Sequence, residues 1–436
     1  EDAQPTYIHS KHDKSPTGAL GDISFLPEQI IPPVNTDIQF HVLPQFVLAE
    51  HSGLMDISAS SIPKEFNWID NGGNLSKLIA PSGNQMLCGS CWAISSANIV
   101  ANNHVVSKTV DWMPNLSTTW CLACYPQKQC QGGNPAKLLY DISKYGIATK
   151  SCVDYSWCAE NKLCNGKATK HFREAHKTNL STLIPDCGCY DSSEKHYLYY
   201  IDEPKHISID SGDVTKDNFA ITVKKHIYHH GPVLGGFIVF KNFMSGAFTK
   251  VNGGIYLENG VYDGEFKMND KHPSGSDYVG CHAVEVIGWG IQDNVVIDSK
   301  GTKASVPYWE CLNSWTEKWG NKGRFRMAMY PFNKISQFDK NVTLDTKTGI
   351  IRGGGMVLTR ASEKPSKVTL PQLNDHFANM KKLKPDSFYK GEQHLEPNDS
   401  KKKSNHRILW YIIGVILILI MLIIGLVLYK KFAEKR

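Results

Sequence analysis

Behind Cys91 the chain reads WAISSANIVANNHVV, apolar on nearly every side of a helical wheel, which predicts a buried helix starting at or just after that cysteine. The pattern changes in the second half. The stretch FAITVKKHIYHHGPVLGGFIVF from Phe219, then GCHAVEVIGWG, VPYWECLNSW and GRFRMAMY, are β-branched and aromatic runs punctuated by glycine, which predict strands. A helical half followed by a strand-rich half defines an α+β chain, with a cleft expected where the halves meet.

The flanks differ from this core. Residues 1–61 mix Pro, His and polar residues without sustained periodicity and read as a short pro-segment or N-terminal arm. Phe66 and Trp68 then form an aromatic pair suited to pinning the start of a folded domain at residue 62. That domain is expected to run over 62–345, with a helical lobe over about 62–210 and a strand-rich lobe over about 211–345. Residues 346–407 turn polar, with recurring Pro, Lys and Ser, and read as a linker or stalk.

From Ile408 to Tyr429 the chain is an uncharged apolar run, which as a helix would span roughly 33 Å, enough for a hydrocarbon core. Trp410, Tyr411 and Tyr429 sit near its ends, where aromatic rings favour the interface. This predicts one transmembrane helix over 408–429 and a short basic tail over 430–436. Flanking Lys and Arg are nearly balanced, so charge alone does not orient it.

Composition adds constraints. With 436 residues and 41% hydrophobic content the chain can bury a core unaided. A formal charge of +6, with lysines concentrated beside the apolar run, gives no basic patch of the kind nucleic acid requires. Twelve cysteines between Cys88 and Cys311, and N-x-S/T sequons at Asn74, Asn115, Asn179, Asn341 and Asn398, favour a lumenal, extracellular or particle-exterior position for the part preceding the apolar run. A monomeric ectodomain is expected there.

The chemistry concentrates in three strings. In Gln85-Met86-Leu87-Cys88-Gly89-Ser90-Cys91-Trp92-Ala93, a thiol at a helix N-terminus faces unpaired N–H groups and the positive end of the macrodipole, both of which favour thiolate. Gln85 can add a side-chain N–H donor beside the Cys91 backbone N–H, making a hole for an oxyanion. His282, heading an apolar strand before Gly288-Trp289-Gly290, is the candidate base. Asn313 can orient its ring while Trp315 shields that bond from water.

CGSCWA with its Gln, HAV followed by GWG, and NSW followed by WGNKG together resemble the papain family of cysteine peptidases over about Ile62–Thr343; the Ile227-Tyr228-His229-His230-Gly231-Pro232-Val233 stretch and the cysteine-rich insertion before it look closest to the cathepsin B and cathepsin X branches. The resemblance implies a two-lobed fold, a helical lobe and a β-barrel-like lobe with the active-site cleft between. It implies Cys91 as nucleophile, His282 as general base and acid, Asn313 as orienter and Gln85 as oxyanion donor. Gly132 and Gly133 match the cleft wall that pairs with extended substrate, and Trp315 completes the substrate-side set. Protein or peptide substrates follow, with no cofactor or metal. In the family the cysteine matching Cys88 bonds the one matching Cys130; Cys121 with Cys152 is the next expected pair. Cys311 reads as a buried thiol.

Two departures stand out. His282 and Asn313 lie about 190 and 220 residues beyond Cys91, against roughly 130 to 150 in the family, so insertions must be housed between them. No paired-histidine occluding loop is evident, and no histidine lies between Gln85 and Cys91, so endopeptidase action is favoured over cathepsin B- or X-like exopeptidase action. A catalytically silent, membrane-tethered binding module is the rival from another class. Cys88-x-x-Cys91 with Cys121-x-x-Cys124 also matches a four-cysteine zinc site, or two redox motifs, but neither reading explains Gln85, His282 or Asn313.

Overall fold

The computed structural model describes residues 62–125, 127–176, 179–207, 216–244, 246–250, 254–257, 261–263, 267–269, 278–296, 301–329 and 355–380. They fall within one compact unit, Glu1–Leu383. The expected pro-segment and the expected transmembrane helix lie outside the described residues. Among the described residues no helix is long and apolar enough to cross a membrane.

The first lobe is built on helix α1 (Cys91–Val106), with α2 (Thr118–Cys124) and α3 (Pro135–Tyr145) packed around it. Fifteen of the sixteen residues of α1 are buried, as its all-round apolar pattern predicts. α3 instead has one apolar face, starts at Pro135 behind an Asn134 cap that accepts from two backbone N–H groups, and stops at Gly146. Four disulfides staple this lobe: Cys88–Cys130, Cys124–Cys187, Cys152–Cys189 and Cys158–Cys164. The first pair is the one implied by family resemblance. Cys121 is not joined to Cys152; it is a buried thiol on α2, and burial pushes its pKa up. The four-cysteine zinc reading falls with this connectivity, because Cys88 and Cys124 are each bonded to a cysteine outside the proposed set.

The second lobe is a sheet. In chain order its strands are β1 (Phe66–Asn67), β4 (Lys205–Ile207), β5 (Val233–Phe240), β6 (Ile255–Tyr256), β9 (Tyr278–Val296), β10 (Lys303–Leu312), β11 (Arg324–Ala328) and β12 (Gly355–Leu358). The spatial order is β4-β12-β5-β9-β10-β11-β6, with β1 also on β9; among the described pairings only β11–β6 is parallel. β2 (Ile147–Ala148), β3 (Lys195–Tyr199) and β13 (Ser366–Thr369) form a small separate sheet, and β7 (Val261–Asp263) pairs with β8 (Lys267–Asn269). Phe66 pairs with Trp289 and packs edge-on to Trp68, whose indole donates to the Ile227 carbonyl at 2.7 Å.

Two sequence expectations need correction. The run from Phe219, read as strand throughout, begins as helix α4 (Lys216–His230) and becomes strand only at Val233. Buried Ala220, Val223 and Ile227 recur at helical spacing, and the Gly231-Pro232 pair that ends the helix marks the switch. The second correction concerns the stalk. Residues 355–380 belong to the folded unit: β12 pairs with both β4 and β5, and β13 pairs with β3. Helix α5 (Leu370–Met380) then sends Leu373, Phe377 and Met380 into the core of the first lobe. The polar residues that suggested a linker lie on the outer face of α5, where composition averaged over the segment hides three core positions spaced four and three apart.

Phe377 lies 4.7 Å from the Trp120 ring centroid. Phe377→Ala is expected to cost about 3–5 kcal/mol, as for other buried aromatic deletions. Chemical denaturation measures it, and a loss below about 1 kcal/mol would mean that α5 is not part of the core.

Candidate active site

Cys91 opens α1, and its cap residue Ser90 gives no side-chain hydrogen bond to the helix because its hydroxyl is 2.7 Å from the Tyr155 hydroxyl. The N–H groups of the first turn therefore carry no side-chain cap at this end. Cys91 is in no disulfide. The helix is fastened to β9 beside His282 through Ala283: its N–H donates to Cys91 Sγ at 3.4 Å, and its carbonyl accepts from Ser95 Oγ at 3.0 Å. The strand residue that follows His282 thus ties the sulfur-bearing end of α1 to β9.

A second tie brings in the remaining residues. The segment 83–85 runs alongside 314–316, with Gln85 N–H donating to Ser314 O at 2.9 Å and Thr316 N–H to Gly83 O at 2.9 Å. This joins the approach to α1 with the loop leaving β10, which carries Asn313. Asn313 Oδ1 accepts the Ser314 N–H at 2.8 Å and lies 2.6 Å from His282 Nε2. Since that oxygen is already identified as an acceptor, His282 Nε2 must be the donor. Nδ1 is then the nitrogen with the lone pair, and it makes no hydrogen bond among the described residues. Trp315 stacks on the His282 ring at 4.9 Å and 30°, and Phe237 and Phe243 close its other sides, which keeps water off the Nε2–Oδ1 bond.

Gln85 is oriented by the same logic. Trp315 Nε1, which can only donate, meets Gln85 Oε1 at 3.0 Å, and Ser314 Oγ meets it at 2.7 Å. The amide nitrogen is thereby turned the other way, where it donates to Cys88 O at 3.2 Å and retains a second N–H. Gly132 and Gly133 border the site for steric reasons as well. Gly132 has φ 106°, and a Cβ on Gly133 would stand 2.6 Å from the Trp92 ring.

The cluster is closed: Cys91 is 0% exposed, Gln85 0%, His282 1% and Asn313 2%. Burial lowers the His282 pKa to about 4, against the opposing hydrogen bond that the ring donates to Asn313. The structure therefore gathers Cys91, His282, Asn313 and Gln85 at one point. Trp315, expected on the substrate side, is 5% exposed and serves to hold Gln85 and cover His282.

Sequence reasoning missed Ser314, whose N–H and hydroxyl orient two amides; its place inside NSW was the available signal. It also missed Glu285, buried where β9 meets α1 and accepting from Asn98 Nδ2 at 2.7 Å and Asn102 Nδ2 at 2.8 Å. Burial pushes this carboxyl up to about 8, outweighing the two amide bonds that favour the anion. Between about pH 4.5 and 8 the folded chain holds a proton that the unfolded chain has lost, so this group makes stability fall with rising pH, by about 1.4 kcal/mol per unit. Glu285→Gln is expected to abolish that contribution. Denaturant midpoints near about pH 5.5 and 7.5 should lie closer together in the variant than in wild type, and an unchanged separation would refute it.

Another cysteine–histidine contact, Cys152 with His196, is not a competing nucleophile and base, because Cys152 is bonded to Cys189 and has no thiol. Cys311, as expected, is a buried thiol within β10, and burial raises its pKa.

A buried cysteine on a helix start, tied to the strand residue that follows a histidine held by an asparagine, is the arrangement of a thiol peptidase. The chain belongs to the papain family of cysteine proteases, whose model matches residues 62–342. It is 41% identical over 409 residues to the probable cysteine proteinase 024R of Invertebrate iridescent virus 3, covering 86% of this chain and 82% of the relative. It is 42% identical over 330 residues to the probable cysteine proteinase 224L of Invertebrate iridescent virus 6, covering 72% of each. A cathepsin B-like cysteine proteinase of Schistosoma japonicum is 26% identical over 255 residues, covering 58% of this chain and 64% of that protein.

Proposed function

We propose that this papain-family proteinase is an endopeptidase that uses Cys91 as nucleophile and is anchored to a membrane by residues 408–429. The Cys91 thiol passes its proton to His282 Nδ1, and the sulfur attacks a peptide carbonyl. Gln85 Nε2–H and the Cys91 backbone N–H hold the resulting oxyanion. His282 then protonates the leaving amine, and water activated by the same ring hydrolyses the thioester. No step needs a metal or cofactor. Substrate lies extended along Gly132 and Gly133.

The observation carrying this reading is the relay from Ser314 N–H through Asn313 Oδ1 to His282 Nε2, which leaves Nδ1 as the basic nitrogen of a ring whose strand neighbour, Ala283, contacts the thiol. Endopeptidase action is supported by the five residues between Gln85 and Cys91, none of them histidine. Removal of residues 1–61, which precede the catalytic domain as a pro-segment would, is the activating step proposed. The apolar run of 408–429 supports the anchor, and the sequons and disulfides preceding it support a non-cytosolic catalytic domain.

The test is labelling with an irreversible epoxide directed at papain-like thiols, read by intact mass. One adduct on Cys91, formed faster once residues before Ile62 are removed, is expected. Absence of an adduct, or the same adduct in Cys91→Ala, overturns the assignment. Cleavage within peptides blocked at both ends tests the endopeptidase reading; cleavage restricted to free C-termini replaces it.

A further inference from the structure

Three side chains well away from Cys91 in the sequence form a compact cluster of two sulfurs and an imidazole, with no part in the mechanism above. Antiparallel pairing of Ile147 with Tyr199 and Ala148 with Leu198 carries the chain leaving β2 past the start of β3. Cys152 lies on that exit and His196 on β3, and Cys189 is held near them by Tyr190 N–H donating to Cys152 O at 2.7 Å. His196 Nδ1 stands 3.6 Å from Cys152 Sγ and 3.7 Å from Cys189 Sγ, and the three donor atoms lie within 4.8 Å of one another.

His196 is 3% exposed, and its Nε2 is buried with no hydrogen-bond partner among the described residues. A disulfide offers an imidazole almost nothing in return for its desolvation, and an apolar ring would fill the same space at lower cost. The spacing fits another use. Tetrahedral zinc, with Zn–S about 2.3 Å and Zn–N about 2.05 Å, sets N···S separations near about 3.6 Å and an S···S separation near about 3.8 Å. Both N···S distances are already met. Only the two sulfurs must part, and Cys189 sits in a segment without regular secondary structure.

We propose that Cys152, Cys189 and His196 form a thiol-gated zinc site: a disulfide when oxidised, and a cation site of two thiolates and one imidazole, with water in the fourth position, when reduced. In the opening step a dithiol reductant gives two electrons and two protons to the S–S bond and itself becomes a disulfide. Zinc(II) then binds the two sulfurs as thiolates together with His196 Nδ1, and both thiol protons are released. Either state ties the chain before β3 to the exit of β2, so the first lobe keeps this tie in reducing as well as oxidising surroundings.

The experiment uses the full chain carrying Cys91→Ala, which removes the other cysteine beside a histidine. After anaerobic reduction with a phosphine it is titrated with cobalt(II), whose visible bands report tetrahedral thiolate ligation, and then with zinc. One equivalent of cobalt, displaced by zinc, is expected after reduction and none before. The bands should be lost in Cys152→Ser and the affinity weakened at least about tenfold in His196→Gln. In parallel, stoichiometric zinc should protect Cys152 and Cys189 from alkylation, located by peptide mass, without any further variant. The proposal is overturned if reduction yields no cobalt bands, if they survive Cys152→Ser and His196→Gln unchanged, if zinc fails to protect the two cysteines, or if the bond resists reduction until the chain unfolds.

Discussion

Replacing Cys91 with alanine is expected to lower peptide hydrolysis on the order of 10⁴-fold or more while changing stability by no more than about 1 kcal/mol. The large effect follows from covalent chemistry: without the sulfur no thioester forms, and what survives is only what binding and the oxyanion donors give to a direct attack by water. The small effect on the fold follows from the site. Cys91 makes no disulfide, and α1 is tied to β9 at this point through Ser95 and the Ala283 carbonyl as well as through the thiol. Initial rates on an unfolded protein substrate, beside a thermal melt, measure both. A variant with more than a tenth of wild-type activity would remove Cys91 from the mechanism.

Gln85→Glu is expected to reduce kcat about 10²- to 10³-fold with little change in KM, the cost of losing one oxyanion donor. The substitution is chosen for what it preserves. A carboxylate still accepts from Ser314 Oγ and Trp315 Nε1, so the contacts that hold residue 85 in place remain, while the N–H aimed towards Cys88 O is gone. The new negative charge beside the developing oxyanion adds to the loss. Gln85→Ala would remove holder and donor together and leave the Trp315 indole without its acceptor, so the two variants separate positioning from stabilisation. Equal kcat in Gln85→Glu and wild type would show that the oxyanion is held elsewhere.

Much of the site was legible in the sequence because its parts sit in short strings with fixed neighbours: a thiol at a helix start, a histidine heading an apolar strand, an asparagine before a tryptophan. What could not be read was how those strings meet. The pairing of 83–85 with 314–316 joins segments more than two hundred residues apart, and no local pattern encodes it. The same limit explains Glu285, which looks like an interruption in an apolar strand until Asn98 and Asn102 are seen across from it. In the fold, the helical period of α4 was masked by the strand that follows it without a break in composition. The Cys121–Cys152 expectation failed because spacing along a chain does not determine which sulfurs approach.

The position of β12 governs when the molecule can be finished. It lies between the edge strand β4 and β5, so the second rung of the sheet is supplied by residues 355–358, over a hundred positions after its neighbours were laid down. A nascent chain emerging from the ribosome can collect the helices around Cys91 early, but it cannot seal the sheet until nearly the whole proteinase has been made. Closure across such a span is entropically slow. Until it happens, the edges of β4 and β5 are open to pairing with other chains.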